Sequence, residues 1–459
     1  MTSTLHAADI AYHLHSQTNL SVHEQVGPTV MARGEGIYTW DTKGKRYLDA
    51  MSGMWSASLG YSEERLVNAA MRQMKALPYH QNFAHRATEP AIQLAERLIQ
   101  LAPVPMSKVL FACSGSEAND TAIKLAWYYW SAMGQPKRRK IISRNRAYHG
   151  TTVASASLTG LPHLHQDFGL PLPGFMHVTC PHHYREGLPG ESEEAFSTRL
   201  AAELEDLIER EGADSIAAFF AEPLMGTGGV ITPPAGYFEK IQAVLKRHDI
   251  LLVADEVICG FGRTGNWWGS QTYGLKPDML TCAKALSASY LPISALMIAE
   301  PIYQAMKAQS EKIGVFGHGY TYGGHPVPAA VALECLNIYQ ERQLPAHAQL
   351  VGSRLGAGLR KLADHPLVGE VRGEGLMWGV EVVADKTNKT AFPREWKVGF
   401  GVSQQTEANG VTARALNDTV VFAPPLIISE AEVDEVLAAF SQGLDATLDK
   451  LVAESRFSR

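Results

Sequence analysis

Cysteine is scarce in this 459-residue chain, and it has neither long apolar runs nor a large excess of one charge. The five cysteines are scattered and never form a C-x-x-C pair, which predicts reduced thiols in a cytoplasmic protein. The longest apolar stretches, such as residues 250–254 and 217–221, are much shorter than the roughly 20 residues of a membrane helix. Residues 1–16 lack the cationic start and apolar core of a secretory signal. We therefore expect neither a membrane protein nor a secreted one.

The charge balance and the histidines point away from nucleic acid and from metal. The chain has 41 Lys+Arg against 47 Asp+Glu, a formal net charge of −6 and no long basic run, so we do not expect a nucleic-acid partner. None of the 17 histidines has the spacing of a closed zinc site or of an H-E-x-x-H helix, so we expect no metal. Three pairs of histidines are close in sequence, namely His13/His15, His163/His165 and His182/His183. We interpret them as surface or hydrogen-bonded groups.

Hydrophobic patterning predicts an α/β protein. Short apolar runs alternate with amphipathic helical patterns, and the run 216–221, for example, precedes a helix over 237–248 and a strand over 250–254. Such alternation is typical of βα units around a mainly parallel, buried sheet. We therefore predict a large domain over residues 61–326.

The two ends of the chain predict a second, smaller unit. A turn sequence at residues 41–44 lies between two strand-like stretches and predicts a hairpin. From residue 327 the pattern is first helical, then returns to shorter strands, and ends in a helix over 430–451. We predict a small α+β domain over residues 327–459, which the N-terminal segment 1–60 joins.

Asp255 and Lys284 carry the strongest chemical signal. Asp255 follows an apolar strand, where open α/β sheets bind ligands, and a buried carboxylate there needs a cationic partner. Lys284 lies in a stretch with almost no other ionisable side chain, which disfavours the charged form of its amine. Taken singly, the two would be interpreted as a helix-capping acid and a surface lysine. Together they match pyridoxal phosphate, which needs a lysine for a Schiff base and an acid for its pyridine nitrogen.

Three further windows fit contacts with such a cofactor. Gly115 and Ser116 lead from a strand into a helix, whose first N–H groups bind anions, although an ordinary N-cap is the alternative. Tyr148 follows another strand, where an aromatic ring can stack on a flat heterocycle or simply belong to a turn. Four glycines surround Thr321, so the backbone there suits a phosphate or a flexible loop.

One motif match has the wrong context. Residues 260–265 satisfy the dinucleotide pattern G-x-G-x-x-G as a string, but no apolar helix follows them. We interpret the stretch as a glycine-rich loop, and an NAD-dependent dehydrogenase built on it is a competing hypothesis. A non-catalytic binding protein is another, which the presence of both Lys284 and Asp255 disfavours.

Taken together, these windows resemble the class III pyridoxal-phosphate-dependent aminotransferases, a group within the fold type I enzymes. The resemblance runs from residue 34 to residue 426, and its most specific part extends from residue 252 through Gly262-Arg-Thr-Gly265 to Lys284. It implies an α/β fold type I transferase with a mainly parallel seven-stranded-type sheet and pyridoxal 5'-phosphate as cofactor.

The resemblance also implies a role for each site residue. Lys284 would bind the cofactor through a Schiff base and then move the substrate proton, and Asp255 would pair with the pyridine nitrogen. Val257 and Tyr148 would cover the two faces of the ring, and Glu222 would be an acid beside it.

The phosphate contacts implied by the resemblance involve two subunits. Gly115 and Ser116 would bind the phosphate together with the partner subunit's Thr321. This implies a homodimer with shared active sites, and pairing of dimers into tetramers stays open.

Within the class, the chain is most similar to the amine–pyruvate (omega) transaminases, on residues 53–55 and on Ala413-Arg414. Trp55 would line an apolar pocket for the amine, with Phe83 and Tyr148 beside the substrate. Arg414 would bind the carboxylate of the acceptor and swing aside for an uncharged amine. Without the resemblance, Trp55 would be interpreted as a core aromatic and Arg414 as part of a surface ion pair.

The expected activity is ping-pong transfer of an amino group from an amine or omega-amino acid to pyruvate or a similar keto acid. A class III decarboxylase or aminomutase is an alternative. So is a diamine or omega-amino acid aminotransferase that uses 2-oxoglutarate.

Overall fold

The computed structural model describes residues 3–457 of the chain. Within that range the strands form one seven-stranded sheet and two four-stranded sheets. No helix in the same range combines the length and the apolar character that crossing a membrane requires.

Helices and strands alternate along most of the chain. The strands are β1 Met31–Glu35, β2 Tyr38–Asp41, β3 Arg46–Asp49, β4 Lys108–Ala112, β5 Lys140–Arg144, β6 Phe175–Val178, β7 Ile216–Ala221, β8 Leu251–Asp255, β9 Met279–Cys282, β10 Ser294–Ile298, β11 Val368–Glu374, β12 Met377–Val382, β13 Val411–Thr412, β14 Arg414–Leu416 and β15 Thr419–Phe422. The helices are α1 Ser3–Tyr12, α2 Leu20–Val26, α3 Ser52–Trp55, α4 Glu64–Ala76, α5 Glu89–Leu101, α6 Gly115–Ala132, α7 Val153–Leu158, α8 His183–Glu186, α9 Glu193–Glu211, α10 Tyr237–Arg247, α11 Gly269–Tyr273, α12 Glu300–Ile313, α13 Pro326–Glu341, α14 Leu344–Lys361, α15 Val398–Ala408 and α16 Glu430–Ala453.

The seven-stranded sheet has the order β4-β10-β9-β8-β7-β5-β6. All neighbours from β9 to β6 are parallel, whereas β10 is antiparallel to both β4 and β9. Every residue of β7 and β8 is buried, as expected for strands that helices cover on both faces. The expected α/β class with a mainly parallel sheet is confirmed.

The register of this sheet brings the ends of distant segments together. Asp255, the last residue of β8, pairs with Thr281 of β9, and the end of β4 pairs with the start of β10. The residues that follow β4, β5, β7, β8 and β9 therefore meet at one edge of the sheet. This is the edge at which open α/β sheets bind ligands.

The two smaller sheets link the ends of the chain. The N-terminal sheet has the order β1-β2-β3-β13, in which β13 from the C-terminal part pairs in parallel with β3. The predicted hairpin around residues 41–44 is present as the antiparallel pair of β2 and β3. The C-terminal sheet, β11-β12-β15-β14, is antiparallel. These pairings agree with an N-terminal segment that joins a C-terminal unit, while the domain boundaries at residues 60 and 326 stay a prediction.

The sequence pattern does not predict the two strands that flank Lys284. β9 has four residues and β10 has five, and both lie in the uncharged stretch between Asp278 and Glu300. Because polar residues do not mark their ends, hydropathy alone does not separate these strands from the intervening loop.

Helix α14 packs unusually closely on the turn between β11 and β12. A Cβ atom added to Gly352 would overlap the carbonyl oxygen of Gly375, and one added to Gly356 would overlap the ring of Trp378. The atoms of Gly375 that approach Gly352 belong to the backbone and not to a flexible side chain, so they have little freedom to move.

We expect Gly352→Ala to lower the free energy of unfolding by about 1–3 kcal/mol, because the added methyl group must displace backbone. Gly401→Ala in α15 is the matched control, since its Cβ would meet only Thr447 Cγ2, at 3.9 Å. That exchange should stabilise its helix by up to about 1 kcal/mol. Urea unfolding of the two variants measures the difference, and equal shifts in both would contradict the close approach of α14.

Candidate active site

A cavity of about 430 Å³ lies at the carboxyl edge of the central sheet. Its walls come from the segments that follow β4, β5, β7, β8 and β9. The sequence-predicted residues that line it are Gly115, Ser116, Tyr148, Glu222, Asp255, Val257 and Lys284. Residues far apart in sequence thus meet around one space.

Asp255 is buried and accepts three hydrogen bonds. Oδ2 accepts from Asn119 Nδ2 at 2.8 Å and from His149 Nδ1 at 2.8 Å, and Oδ1 accepts from the N–H of Val257 at 3.1 Å. These donors compensate for the hydration that the carboxylate loses on burial. They also fix the direction in which the carboxylate points into the cavity.

Asn119 is a site residue that the sequence analysis misses. Besides Asp255, its amide group donates to the carbonyl oxygen of His149 at 2.7 Å, and its Oδ1 accepts from Thr281 Oγ1 at 2.9 Å. One side chain on α6 therefore connects the ends of β5, β8 and β9. Its only sequence signal is a polar residue in the first turns of a helix that starts at the sheet edge.

His149 is the second missed residue, although it adjoins Tyr148. Its Nδ1 contacts Asp255, while Nε2 is buried and has no hydrogen-bond partner within the described residues 3–457. The N–H of His149 donates to Thr159 Oγ1 at 2.9 Å, which fixes the backbone of the turn. A Tyr-His-Gly turn gives no sequence signal for this contact.

Lys284 is partly buried, and its amine lies beside two carboxylates. It follows β9 as the first residue of a short 3₁₀ helix and has a φ of 49°, a left-handed conformation that few non-glycine residues adopt. Burial lowers the pKa of Lys284, and the nearby Asp255 and Glu222 oppose that shift. The amine is therefore more easily deprotonated than an exposed lysine, which makes it a better nucleophile.

Glu222 is a buried acid at the end of β7. Its Oε1 accepts from the N–H of Tyr148 at 3.0 Å, and its Oε2 accepts from the N–H of Gly226 at 2.9 Å. Burial raises the pKa of Glu222, and the charge of Asp255 raises it further. Glu222 therefore holds the loop that presents Tyr148 and carries a proton more readily than an exposed glutamate does.

The start of α6 lies at the cavity and has the features of an anion-binding site. Ser114 caps the helix in a capping box with Glu117, so the ordinary N-cap considered as an alternative is present. Gly115 and Ser116 nevertheless line the cavity, and a Cβ on Gly115 would lie 3.0 Å from Val257 Cγ1. Glycine at residue 115 leaves room for the Val257 side chain beside the start of α6, whose N–H groups suit an anion.

Arg414 lies near the cavity without lining it. Its Nη1 donates to the sulfur of Met54, and burial lowers the pKa of Arg414, against the effect of the nearby Tyr148. No carboxylate among residues 3–457 forms an ion pair with it. The surface ion pair considered as an alternative is thus missing in the described part of the chain.

Besides Arg414, three predicted residues are not brought to the lining of the cavity. Trp55 is buried in an apolar cluster with Leu224 and Met377, and its neighbours Met54 and Ser56 line the cavity instead. Phe83 and Thr321 lie in exposed loops. Their roles in the active site stay predictions.

The glycine-rich stretch 260–265 has a structural role. Arg263 is buried and donates to the carbonyl oxygens of Leu376 and Pro424, at 3.1 and 2.5 Å. No helix starts at this stretch, because α11 begins only at Gly269. The geometry favours the interpretation as a loop over a dinucleotide site.

The cavity fits pyridoxal phosphate. A lysine amine on the cavity lining, a hydrogen-bonded buried carboxylate and a helix start with a serine hydroxyl match the aldehyde, the pyridine nitrogen and the phosphate of that cofactor. Nε2 of His149 is a buried polar atom without a partner among residues 3–457, and Gly115 leaves the start of α6 without a side chain. The lining therefore offers groups that suit the phosphate and the ring of the cofactor.

Known proteins match the chain over most of its length. A gamma aminobutyrate transaminase 1 of mitochondria from Solanum lycopersicum is 47% identical over 430 residues, which are 94% of this chain and 83% of that protein. The omega transaminase from Pseudomonas jessenii, solved in complex with PMP, is 52% identical with a TM-score of 0.96 and covers 97% of this chain and 98% of that one. A transaminase solved with L-ala is 56% identical with a TM-score of 0.91, over 92% of this chain and 100% of that one.

The family match has the same extent. The family model described as Aminotransferase class-III matches residues 20–444, which include all the segments around the cavity. The solved structures share the fold at identities above 50%, with sheet and cavity inside the aligned part. The chain therefore belongs to the class III aminotransferases, enzymes that depend on pyridoxal phosphate and transfer an amino group.

Proposed function

We propose that this aminotransferase takes its amino group from an amine or omega-amino acid and passes it to pyruvate or a similar keto acid in a ping-pong cycle. The observation that carries the proposal is the meeting of Lys284 and Asp255 at one cavity, near which lies Arg414, a residue with no ion pair among residues 3–457. The solved transaminase with L-ala supports the alanine–pyruvate couple. The gamma aminobutyrate transaminase from Solanum lycopersicum supports omega-amino acids as donors.

The residues around the cavity would have different roles in the reaction. Pyridoxal phosphate, when bound, supplies an aldehyde that takes up the amino group and a ring that withdraws electrons. The Asp255 carboxylate, held by Asn119 and His149, would keep a proton on the pyridine nitrogen. Lys284 Nζ would form the covalent link in the resting enzyme and, once released, move the substrate proton.

Other lining residues would position the cofactor. Gly115 and Ser116 at the start of α6 would bind the phosphate, and Val257 and Tyr148 would pack on the two faces of the ring. Glu222, which accepts from the N–H of Tyr148, would keep the tyrosine loop in place.

Arg414 would select the acceptor. It is half-buried on β14 and contacts the flexible side chain of Met54, and no ion pair within residues 3–457 holds its rotamer. A guanidinium without an acidic partner suits the two oxygens of a keto-acid carboxylate. Trp55 and Phe83 would bound the space for the other substrate groups.

We propose a homodimer in which the sites are shared. Tyr79 donates to the carbonyl oxygen of Thr321 at 2.7 Å, and the ring of Phe83 packs over Gly319, so these two loops form one surface. Exposed apolar side chains on and beside it are Met74, Leu77, Tyr79, Phe83 and Tyr322. Such a surface supports docking of a second copy, whose cavity would receive Thr321.

We further propose a cytoplasmic location. All five cysteines are free, and four of them are buried, as in proteins of reducing compartments. The relative from Solanum lycopersicum is named as a mitochondrial protein, and that location is a property of the relative.

Lys284→Ala tests the proposed chemistry. We expect turnover with pyruvate to fall by at least about 1,000-fold and the visible absorbance band of the lysine-bound cofactor to be lost. Lys276→Ala, which removes an exposed lysine ahead of β9, is the control and should retain both. A Lys284→Ala protein with normal turnover and an unchanged band would overturn the proposal, as would a keto acid not consumed one for one with the amine.

Arg414→Ala tests the selection of the acceptor. Because a hydrogen bond to a charged group contributes about 1.5–3 kcal/mol, we expect the KM for pyruvate to rise by about 10- to 100-fold. The KM for an uncharged amine should change little, and Arg414→Lys should lie between the two enzymes. Steady-state kinetics with pyruvate and 2-oxoglutarate measure this, and equal changes for amine and keto acid would contradict the proposed role.

Subunit mixing tests the shared site. Lys284→Ala and Thr321→Asp chains should each be weakly active alone, whereas their heterodimer contains one site with an intact Lys284 and an intact Thr321. Random pairing then predicts recovery to about one quarter of wild-type activity. The control mixes wild-type chains with a Lys284→Ala/Thr321→Asp double variant, whose heterodimers contain no intact site. With shared sites that control retains about one quarter of wild-type activity from its wild-type homodimers, whereas it would retain about one half if each chain formed its own site. Absence of recovery in the first mixture above the activity of the two variants alone would refute sharing through Thr321.

A further inference from the structure

The first two helices bring three histidine rings onto one carboxylate. Asp9 on α1 is contacted by His13 and His15 from the turn after α1 and by His23 on α2. His15 Nε2 lies 2.9 Å from both Asp9 oxygens, and His23 Nε2 lies 2.9 Å from Oδ2. None of these residues lines the cavity described above.

The donor set is that of a transition-metal site. The ligand atoms of Asp9, His15 and His23 all lie within 4.8 Å of one another. Imidazole nitrogen and carboxylate oxygen bind Zn²⁺ at about 2.0–2.2 Å, so tetrahedral ligands are separated by about 3.3 Å. The present separations of 2.9 Å between the histidine nitrogens and the Asp9 oxygens are only a few tenths of an ångström shorter than this.

The packing around the cluster holds these ligands together before an ion binds. The ring centroids of His15 and His23 are 4.1 Å apart, and those of His13 and His15 are 4.4 Å apart. At the other end of α2, a Cβ on Gly27 would overlap the ring of His6 from α1, so the two helices touch there as well. Two separate contacts thus fix α1 against α2.

The charges at the cluster also suit a dication. The described interactions of Asp9 involve histidines only, with no lysine or arginine. The second group of three possible metal ligands among residues 3–457 differs. At His182, Glu370 and Glu381, the Arg372 guanidinium donates to both glutamates, at 2.5 and 2.6 Å, and already supplies the positive charge.

We propose that Asp9, His15 and His23 bind a divalent transition-metal ion of the Zn²⁺ type and that this ion fastens α1 to α2. His13, which reaches Oδ1 of Asp9 at 2.9 Å, orients the carboxylate. The fourth position of the ion faces solvent, since Asp9, His15 and His23 are all only partly buried. The sequence spacing concealed this site, because only the turn between the helices brings residues 9, 15 and 23 together.

Binding of Zn²⁺ and Co²⁺ to the tag-free holoenzyme, after dialysis against EDTA, tests the proposal. Calorimetry should detect one strong site per chain for Zn²⁺, and the d–d absorption of Co²⁺ should intensify as expected for low coordination number. We expect His15→Ala/His23→Ala to weaken Zn²⁺ binding by at least tenfold. The control is His163→Ala, which removes an exposed histidine outside the cluster and should leave the binding unchanged.

Asp9→Asn separates metal binding from folding, because the amide oxygen still accepts hydrogen bonds while the ligand charge is lost. Zn²⁺ should raise the Tm of the wild-type and His163→Ala proteins and leave that of Asp9→Asn unchanged. The proposal is overturned if wild type lacks the strong site, or if His15→Ala/His23→Ala and Asp9→Asn bind Zn²⁺ as wild type does. The second result would assign the cluster to hydrogen bonding alone.

Discussion

The active site depends on a carboxylate that the fold removes from water. A buried, ionised Asp255 would be strongly unfavourable without compensation, and the protein compensates with hydrogen bonds from Asn119, His149 and the backbone of Val257. These donors come from α6, from the turn after β5 and from the residues after β8. The same contacts that stabilise the charge therefore fix three walls of the cavity relative to one another.

At Lys284 burial affects a positive charge, whereas at Asp255 it affects a negative one. Burial works against the charged amine, whereas Asp255 and Glu222 work for it, so the protonation of the lysine depends on the state of its neighbours. Glu222 in turn has a raised pKa, for which burial is the main cause. A group whose protonation changes easily is what an amine needs if it is to bind carbon at one stage and move a proton at another.

The sequence predicts the parts of this site that follow from local pattern. The apolar strand before Asp255, the uncharged stretch around Lys284 and the turn at Gly115 and Ser116 are all readable along the chain, and the resemblance to class III enzymes joins them. Asn119 and His149 are not readable, because their partners are more than a hundred residues away in sequence and depend on the register of β8 with β9. The contacts of the histidine cluster at Asp9 are not readable for a similar reason, because they depend on the turn between two helices.

The pairing of β3 with β13 has a consequence for synthesis on the ribosome. Leu48 pairs with Val411, so roughly 360 residues must emerge before the N-terminal sheet is complete. At about 5–20 residues per second this takes about 20 to 70 seconds. During that interval Tyr47 and Leu48, which are buried in the finished protein, lack their final cover, so the nascent chain exposes apolar side chains and an unpaired strand edge.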